Sequence, residues 1–138
     1  MIYHLIYVST ARFPLPRPRL EDLLETSRKN NLRNSLTGML AYAGGNFMQF
    51  LEGPKEAVEE LMSRIERDSR HFDVTRLFTT ETPERWCAEW QMAYAAGVTR
   101  DDIDVLVNLT RGDGNVLPGT EEANIARLLL RRFVAGNR

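Results

Sequence analysis

Short stretches in which hydrophobic and polar residues follow a strand-like pattern predict five β-strands along this chain. They cover residues 2–9, 36–43, 46–52, 73–80 and 90–96. The first stretch is mostly β-branched and aromatic and is interrupted by the polar His4, which predicts a strand that is buried on both faces. The second and third stretches are separated only by Gly44 and Gly45, which tolerate positive φ, so we expect a hairpin there.

Helical spacing of apolar residues appears between these strands. After Pro14, Pro16 and Pro18, leucines recur at helical spacing over residues 19–30, and Asn30-Asn31 is the expected end of that helix. A second helix is expected to begin at Pro54, because the missing N–H of proline is harmless in a first turn. The inner stripe of this helix is Val58, Leu61, Met62 and Ile65.

The order of these elements is β-α-β-β-α-β with one further strand, which is typical of the ferredoxin-like α+β class. In that class both crossover helices cover one face of a mixed sheet, here five-stranded, and the first and third strands are its central pair. Two more helices, over residues 100–110 and 120–134, would cover the opposite face. We therefore expect one domain over residues 1–97 and a two-helix extension over residues 98–138 that packs on the sheet, mediates oligomerisation, or does both.

Composition narrows the range of partners. The 138 residues contain 18 Lys and Arg against 19 Asp and Glu, and a net charge of −1 provides no field for holding nucleic acid or an anionic membrane. The single Cys87 excludes an internal disulfide and any multi-cysteine zinc site. Since no apolar stretch is long enough to span a bilayer and the N-terminus does not resemble a signal peptide, the expected location is the cytoplasm.

Motifs of hydrolytic, metal-dependent and phosphoryl-transfer enzymes are absent from the sequence, which contains only two histidines, His4 and His71. The informative residue is Gln49. It lies in the middle of an apolar strand with Phe47 and Leu51 on its own face and Met48 and Phe50 on the other. A buried amide without a partner would cost about 1 to 3 kcal/mol, so we expect Gln49 to be hydrogen-bonded.

The predicted fold gathers several polar residues around Gln49. Tyr7 would be its neighbour on the adjacent central strand, while Asn31 and the pair Arg64 and Asp68 would lie on the helices above. Leu23 and Ile65 would line the gap between those helices. Such a flat apolar slot, with an amide at one edge, suits a planar heteroaromatic ligand.

Each of these residues also has a purely structural interpretation. Tyr7 and Gln49 can form a satisfied hydrogen bond in the core, and Arg64 and Asp68 can form a solvated i,i+4 ion pair on a helix. Asn31 can be a helix C-cap, and Trp90 and Met92 can be core residues of the fifth strand. Considered one at a time, the structural interpretations are favoured.

Six blocks in order shift this balance: Leu5-Ile6-Tyr7-Val8-Ser9, Ser27-Arg28-Lys29-Asn30-Asn31, Leu36-Thr37-Gly38, Phe47-Met48-Gln49-Phe50-Leu51-Glu52-Gly53, Asp68-x-Arg70-His71 and Trp90-x-Met92. Together they resemble the BLUF family of blue-light sensors using flavin, over residues 2 to 96. The resemblance implies a photoreceptor rather than an enzyme, with FAD bound non-covalently between two helices. FMN and riboflavin remain alternatives to FAD.

The resemblance also implies roles for individual residues. Tyr7 matches the electron and proton donor to the excited flavin, and Gln49 matches the amide that switches between tyrosine and flavin by rotation or tautomerisation, which red-shifts the absorption. Trp90 and Met92 match the signal relay of the fifth strand. Residues that match the flavin-binding set are Tyr7, Leu23, Ser27, Lys29, Asn30, Asn31, Gln49, Arg64, Ile65, Asp68, Arg70 and His71.

Three positions depart from the family pattern. Ser35 and Ala93 stand where glycine is usual, and Cys87 stands where an aromatic residue is usual. These changes bear on local packing more than on flavin binding.

Because no output module is evident after residue 97, we expect signalling through protein contacts, with at least a homodimer and an unidentified downstream protein. Two alternatives stay open. One is a ferredoxin-like protein-interaction domain without photochemistry. The other is a flavin-dependent enzyme, which would have no acid or base besides Tyr7.

Overall fold

One mixed β-sheet organises the protein. The computed structural model describes residues 1–13, 18, 19, 22, 25, 29, 30, 33–86, 93–96, 121, 124, 125, 128, 129, 132 and 133. Its elements are β1 (Ile2–Ala11), β2 (Thr37–Ala43), β3 (Asn46–Gly53), α1 (Lys55–Glu66), β4 (His71–Thr82) and β5 (Ala93–Ala96). The described residues between 18 and 33, and those between 121 and 133, are helical. The helix expected over 100–110 lies outside the described residues.

The strands run in the order β4-β1-β3-β2-β5. β4, β1, β3 and β2 form an antiparallel sheet, and the short β5 pairs in parallel with β2. β1 and β3 are therefore neighbours in the interior of the sheet, as expected for the central pair. The chain is a mixed α+β protein with a four-stranded antiparallel sheet extended by β5.

The hairpin between β2 and β3 has the predicted two-residue turn. Ala43 pairs with Asn46, and the residues between them, Gly44 and Gly45, have φ angles of 59° and 79°. Positive φ at both central positions defines the tight turn whose twist matches that of the flanking strands. This turn sets the register of β2 against β3, in which Gln49 lies opposite Leu40. On its other side Gln49 pairs with Tyr7 of β1.

Both faces of the sheet are buried at its centre. On one face α1 inserts Val58 and Met62, each fully buried, against the sheet. The sheet residues of this core are Leu5, Tyr7, Leu40, Tyr42, Phe47 and Leu51. On the opposite face Met39 and Met48 are each only 1% exposed, so that face is covered as well. We call these the α1 face and the far face.

The first predicted helix continues beyond its expected end. Arg33 is still helical, and the backbone N–H of Asn34 donates to the carbonyl of Asn30 at 3.2 Å, so the predicted stop at Asn30-Asn31 is wrong. The left-handed residue that follows this helix is Ser35, with φ of 59°. Glycine adopts a positive φ more readily than serine, which would account for the glycine that the resemblance predicts at this position. Among the described residues, no helix is long and apolar enough to cross a bilayer.

Candidate functional site

Tyr7 and Gln49 meet on the α1 face. They are register partners on β1 and β3, and the Tyr7 hydroxyl donates to Gln49 Oε1 at 2.5 Å. Their exposed fractions are 4% and 6%, so the bond lies inside the core. Burial raises the pKa of the Tyr7 hydroxyl far above its ordinary value, and the negative charge of Asp68 raises it further. Tyr7 is therefore a protonated hydrogen-bond donor at neutral pH.

The loop after α1 brings Asp68 towards this site, but without Arg64. The helix ends at Glu66, so Asp68 does not lie on it, and the alternative of an i,i+4 ion pair with Arg64 on the helix is wrong. The Arg64 guanidinium instead donates to Glu60 at 2.8 Å on the exposed side of the helix. Arg70 binds Asp68 through its side chain and also through its backbone N–H, at 2.9 Å. This hydrogen bonding lowers the pKa of the Asp68 carboxyl.

His71 is held beside Tyr7 at the start of β4. Its Nε2 lies 2.5 Å from the carbonyl oxygen of Ile65, so Nε2 must carry the hydrogen. Its Nδ1 lies 2.8 Å from the Ser9 hydroxyl, which can then donate to it. The ring stands edge-on to Tyr7 and Phe47, with centroids 6.4 Å and 6.3 Å away. The ring is thus held on both sides, by a carbonyl oxygen at Nε2 and a hydroxyl at Nδ1.

Only some of the other predicted binding residues lie in the part of the chain that the structure describes. Ile65 is half-buried and packs against the core of the α1 face. Lys29 and Asn30 are helical and exposed, and the Asn30 carbonyl accepts from the Asn34 side chain at 2.9 Å. Leu23, Ser27, Asn31, Trp90 and Met92 lie outside the described residues. β5 begins at Ala93, in the second half of the range predicted for the fifth strand.

Sequence reasoning missed a second group of buried polar residues. His4 and Glu52 are register partners on the far face, each 2% exposed, and Thr37, Arg85 and Trp86 surround Glu52. A signal for this group existed, since His4 interrupts a strand that was expected to be buried on both faces. A buried polar side chain needs a hydrogen-bond partner, and this holds for His4 and Glu52 as it does for Gln49.

The chemistry of the α1 face fits a flavin. An uncharged amide has a donor at one end and an acceptor at the other, and Gln49 offers its acceptor end to Tyr7. Its donor end matches the acceptor edge of a flavin ring. The surroundings are apolar, and Arg70, which binds Asp68 in the loop after α1, is 56% exposed.

Comparison with known proteins decides the family. The family model described as "Sensors of blue-light using FAD" matches residues 2–93. The chain belongs to the BLUF family. BLUF proteins are flavin-based blue-light sensors, and the matched region includes β1 to β4 and the first residue of β5.

Two curated relatives show how BLUF sequences occur in longer proteins. The photoactivated adenylate cyclase subunit beta of Euglena gracilis is 40% identical over 92 residues, which are 66% of this chain and 11% of that protein. The blue light- and temperature-regulated antirepressor BluF of Escherichia coli (strain K12) is 33% identical over 85 residues, which are 62% of this chain and 21% of that protein. The chain thus spans a minor part of either relative.

A solved structure of similar size shares the BLUF fold. The dark state of the BLUF protein BlrB is 29% identical to this chain and superposes with a TM-score of 0.71. The match covers 98% of this chain and 96% of BlrB. Here the likeness extends over nearly the whole length of both proteins.

Proposed function

We propose that this BLUF protein senses blue light through Tyr7 and Gln49. The observation that carries the proposal is the buried 2.5 Å hydrogen bond from the Tyr7 hydroxyl to Gln49 Oε1 on the α1 face. A flavin bound beside it would supply a light-absorbing oxidant. We further propose FAD as that flavin, because the family model is defined by FAD. Mass spectrometry of the released cofactor tests this, and recovery of FMN or riboflavin would correct it.

Tyr7 is suited to give up an electron together with its proton. The raised pKa keeps its hydroxyl protonated in the dark, and the proton already points at Gln49 Oε1. Loss of an electron makes a phenol hydroxyl a much stronger acid, so its proton would move along this bond. His71 cannot take the proton at Nε2, because that nitrogen already donates to the carbonyl of Ile65.

Gln49 is suited to store the outcome as a hydrogen-bond pattern. Turning its side-chain amide by half a revolution would present Nε2 to the tyrosine oxygen, which can accept as well as donate. The oxygen of the amide would then face the opposite side. Every group in contact with the amide would experience a donor exchanged for an acceptor, and such an exchange at the flavin edge would shift the absorption.

The remaining predicted residues complete the proposal. We propose that Asp68, Arg70 and His71 frame one end of the flavin site, with Lys29 and Asn30 at its exposed side. Leu23, Ser27, Asn31, Arg64 and Ile65 are proposed to belong to the walls, and Trp90 and Met92 to relay the signal. Arg64 is the weakest member, because its guanidinium is 61% exposed and bound to Glu60.

The test of the photoactive pair is absorption spectroscopy of the protein purified in the dark, before and after blue light. We expect a bound flavin with a reversible red shift in the wild type. Gln49→Leu should keep the flavin and lose the shift completely, and Tyr7→Phe should lose it as well. Glu81→Gln alters an exposed residue of β4 and should behave as the wild type. A wild type without flavin or without a shift, or Gln49→Leu with a normal shift, contradicts the proposal.

We also propose that the sensor acts on a partner protein and forms at least a dimer. The sensor unit would be residues 1–97, with one helix pair on the α1 face, and residues 98–138 would cover the far face and reach the partner. Support comes from two apolar residues of the C-terminal helical segment, Ile125 and Leu128, which are 39% and 50% exposed. Light scattering coupled to gel filtration measures the mass, and replacing both residues with Ser should give the monomer. A monomeric wild type contradicts dimerisation.

A further inference from the structure

A charged group lies buried on the far face, opposite the Tyr7–Gln49 pair. Glu52 follows Gln49 by three residues on β3 and therefore points to the other side of the sheet. Its register partner on β1 is His4, and both residues are 2% exposed. Neither residue takes part in the function proposed above.

Glu52 connects segments that are far apart in sequence. Its Oε1 accepts from the Thr37 hydroxyl at 2.7 Å, and its Oε2 accepts from the backbone N–H of Trp86 at 2.7 Å. Arg85 donates to the same Thr37 hydroxyl at 2.9 Å and to the carbonyl of Ser35 at 2.7 Å. The carboxylate thus ties the start of β2 to the chain that leaves β4. Two donors to one carboxylate favour its ionised form.

The protonation of His4 follows from its neighbours. Its Nε2 lies 2.6 Å from the Thr82 hydroxyl, and that hydroxyl donates its only hydrogen to the carbonyl of Glu84 at 2.8 Å. The Nε2 atom must therefore be the donor to Thr82. The other nitrogen, Nδ1, lies 3.2 Å from Glu52 Oε2 and has no aligned hydrogen-bond acceptor among the described residues.

Without a hydrogen on Nδ1, a nitrogen lone pair would face a carboxylate oxygen in a buried site, and the two would repel. With a hydrogen there, the imidazole is a cation beside an anion at ion-pair distance. The indole ring of Trp86 stacks on His4 with centroids 3.8 Å apart and planes inclined by 21°. A flat cation against an aromatic face is a favourable arrangement.

We propose that His4 and Glu52 form a buried imidazolium–carboxylate pair that positions Trp86, the last described residue before β5. The pair acts on Trp86 twice, since Glu52 accepts its backbone N–H and His4 stacks on its ring. In a light sensor this would hold Trp86 in place while Gln49 turns on the other face of β3, the strand that also carries Glu52. That last step rests on the proposed function, and the pair itself does not.

Nitrogen NMR of the full chain labelled with ¹⁵N-histidine tests the charge at neutral pH in the dark. The chain has only two histidines, and a His71→Gln variant assigns their signals. We expect both ring nitrogens of His4 to carry a hydrogen. A bare nitrogen on His4 in the wild type overturns the pair.

Amide hydrogen exchange tests the positioning of Trp86. Glu52→Gln keeps the side-chain shape but removes the charge, so the Trp86 amide should exchange about tenfold faster. One His4 nitrogen should lose its hydrogen in the same variant. Glu81→Gln removes an exposed carboxylate of β4 and should leave both readouts unchanged. Unchanged exchange at Trp86 in Glu52→Gln overturns the positioning role.

The lifetime of the red-shifted state gives a separate readout. In Glu52→Gln we expect the flavin and the size of the shift to be retained and the dark recovery to change severalfold. If the wild type shows no light response, the proposed function fails, while the NMR and exchange measurements still decide the pair. If the response is normal and its lifetime is the same in Glu52→Gln, the pair does not act on the signal.

Discussion

The two faces of β3 carry opposite kinds of buried polar chemistry. On the α1 face Gln49 is an uncharged amide that accepts a hydrogen bond from the phenol hydroxyl of Tyr7. On the far face Glu52 is a carboxylate with two donors and an ion-pair contact to His4. Both residues are nearly inaccessible to solvent, so burial alone does not distinguish them.

The amide of Gln49 can change its hydrogen-bond pattern, whereas the carboxylate of Glu52 is fixed by its partners. An amide can exchange its donor and acceptor ends at little electrostatic cost, because neither orientation buries a net charge. A buried carboxylate cannot be separated from its partners without leaving a charge unpaired in a low dielectric. One strand therefore presents a group that can change its hydrogen bonds on its α1 side and a fixed group on the other.

The same substitution at both positions gives the largest expected effect. Glu52→Leu should lower the free energy of unfolding by about 3 to 5 kcal/mol, because it removes the ion-pair partner of His4 and leaves the Thr37 hydroxyl and the Trp86 N–H without their acceptor. Gln49→Leu should cost only about 1 to 3 kcal/mol, because it leaves one neutral hydroxyl, that of Tyr7, without its acceptor. Urea unfolding of both variants in excess flavin measures the difference. Equal losses would show that the two faces are not energetically distinct.

An alkaline titration isolates the α1 face. The folded protein holds the pKa of Tyr7 above the unfolded value, so both states are protonated below about pH 10 and stability is unaffected there. As the pH rises further, the unfolded state releases the proton first, and stability should fall by about 1.4 kcal/mol per pH unit from this group.

The control for this titration is Tyr7→Phe. This variant lacks the ionisable group, so its stability should fall less steeply over the same range. Tyr3 also has a raised pKa, caused first by burial and then by its bond to Glu59, but it is present in both proteins and cancels. Identical slopes for the two proteins would contradict the pKa shift of Tyr7.

Local sequence patterns were enough to predict the contact between Tyr7 and Gln49 on the α1 face. Alternation located the four strands of the antiparallel sheet, the Gly44-Gly45 turn set the register of β2 and β3, and the strand order placed β1, with Tyr7, beside β3. Each step depends on residues that are close in sequence or on a rule of topology. That is why this pair could be identified before any coordinates were known.

The buried polar group of the far face depends on contacts that no local sequence pattern encodes. The four residues of this group come from separate segments and meet only once the sheet has formed: His4, Thr37, Glu52 and Trp86.

Helix ends were mispredicted for a related reason. α1 ends at Glu66 without a glycine or proline to mark the end, and the first helix is followed by Ser35, a residue type that gives no signal for positive φ. Both errors misplaced charged or polar side chains relative to the sheet.

The smallest expected effect is a gain in stability from Ser35→Gly, close to the buried polar group of the far face. Ser35 adopts φ of 59°, and its carbonyl accepts from Arg85, which also binds Thr37 next to Glu52. Ser35→Gly keeps that carbonyl and removes a backbone strain of about 1 to 2 kcal/mol, but glycine loses more entropy on folding. The net gain in the free energy of unfolding should be about 0.5 to 1 kcal/mol by urea unfolding. The light-induced shift should stay unchanged, because Ser35 does not contact Tyr7 or Gln49 in any described bond. A loss of stability would mean that the serine side chain itself contributes to the interactions around Glu52.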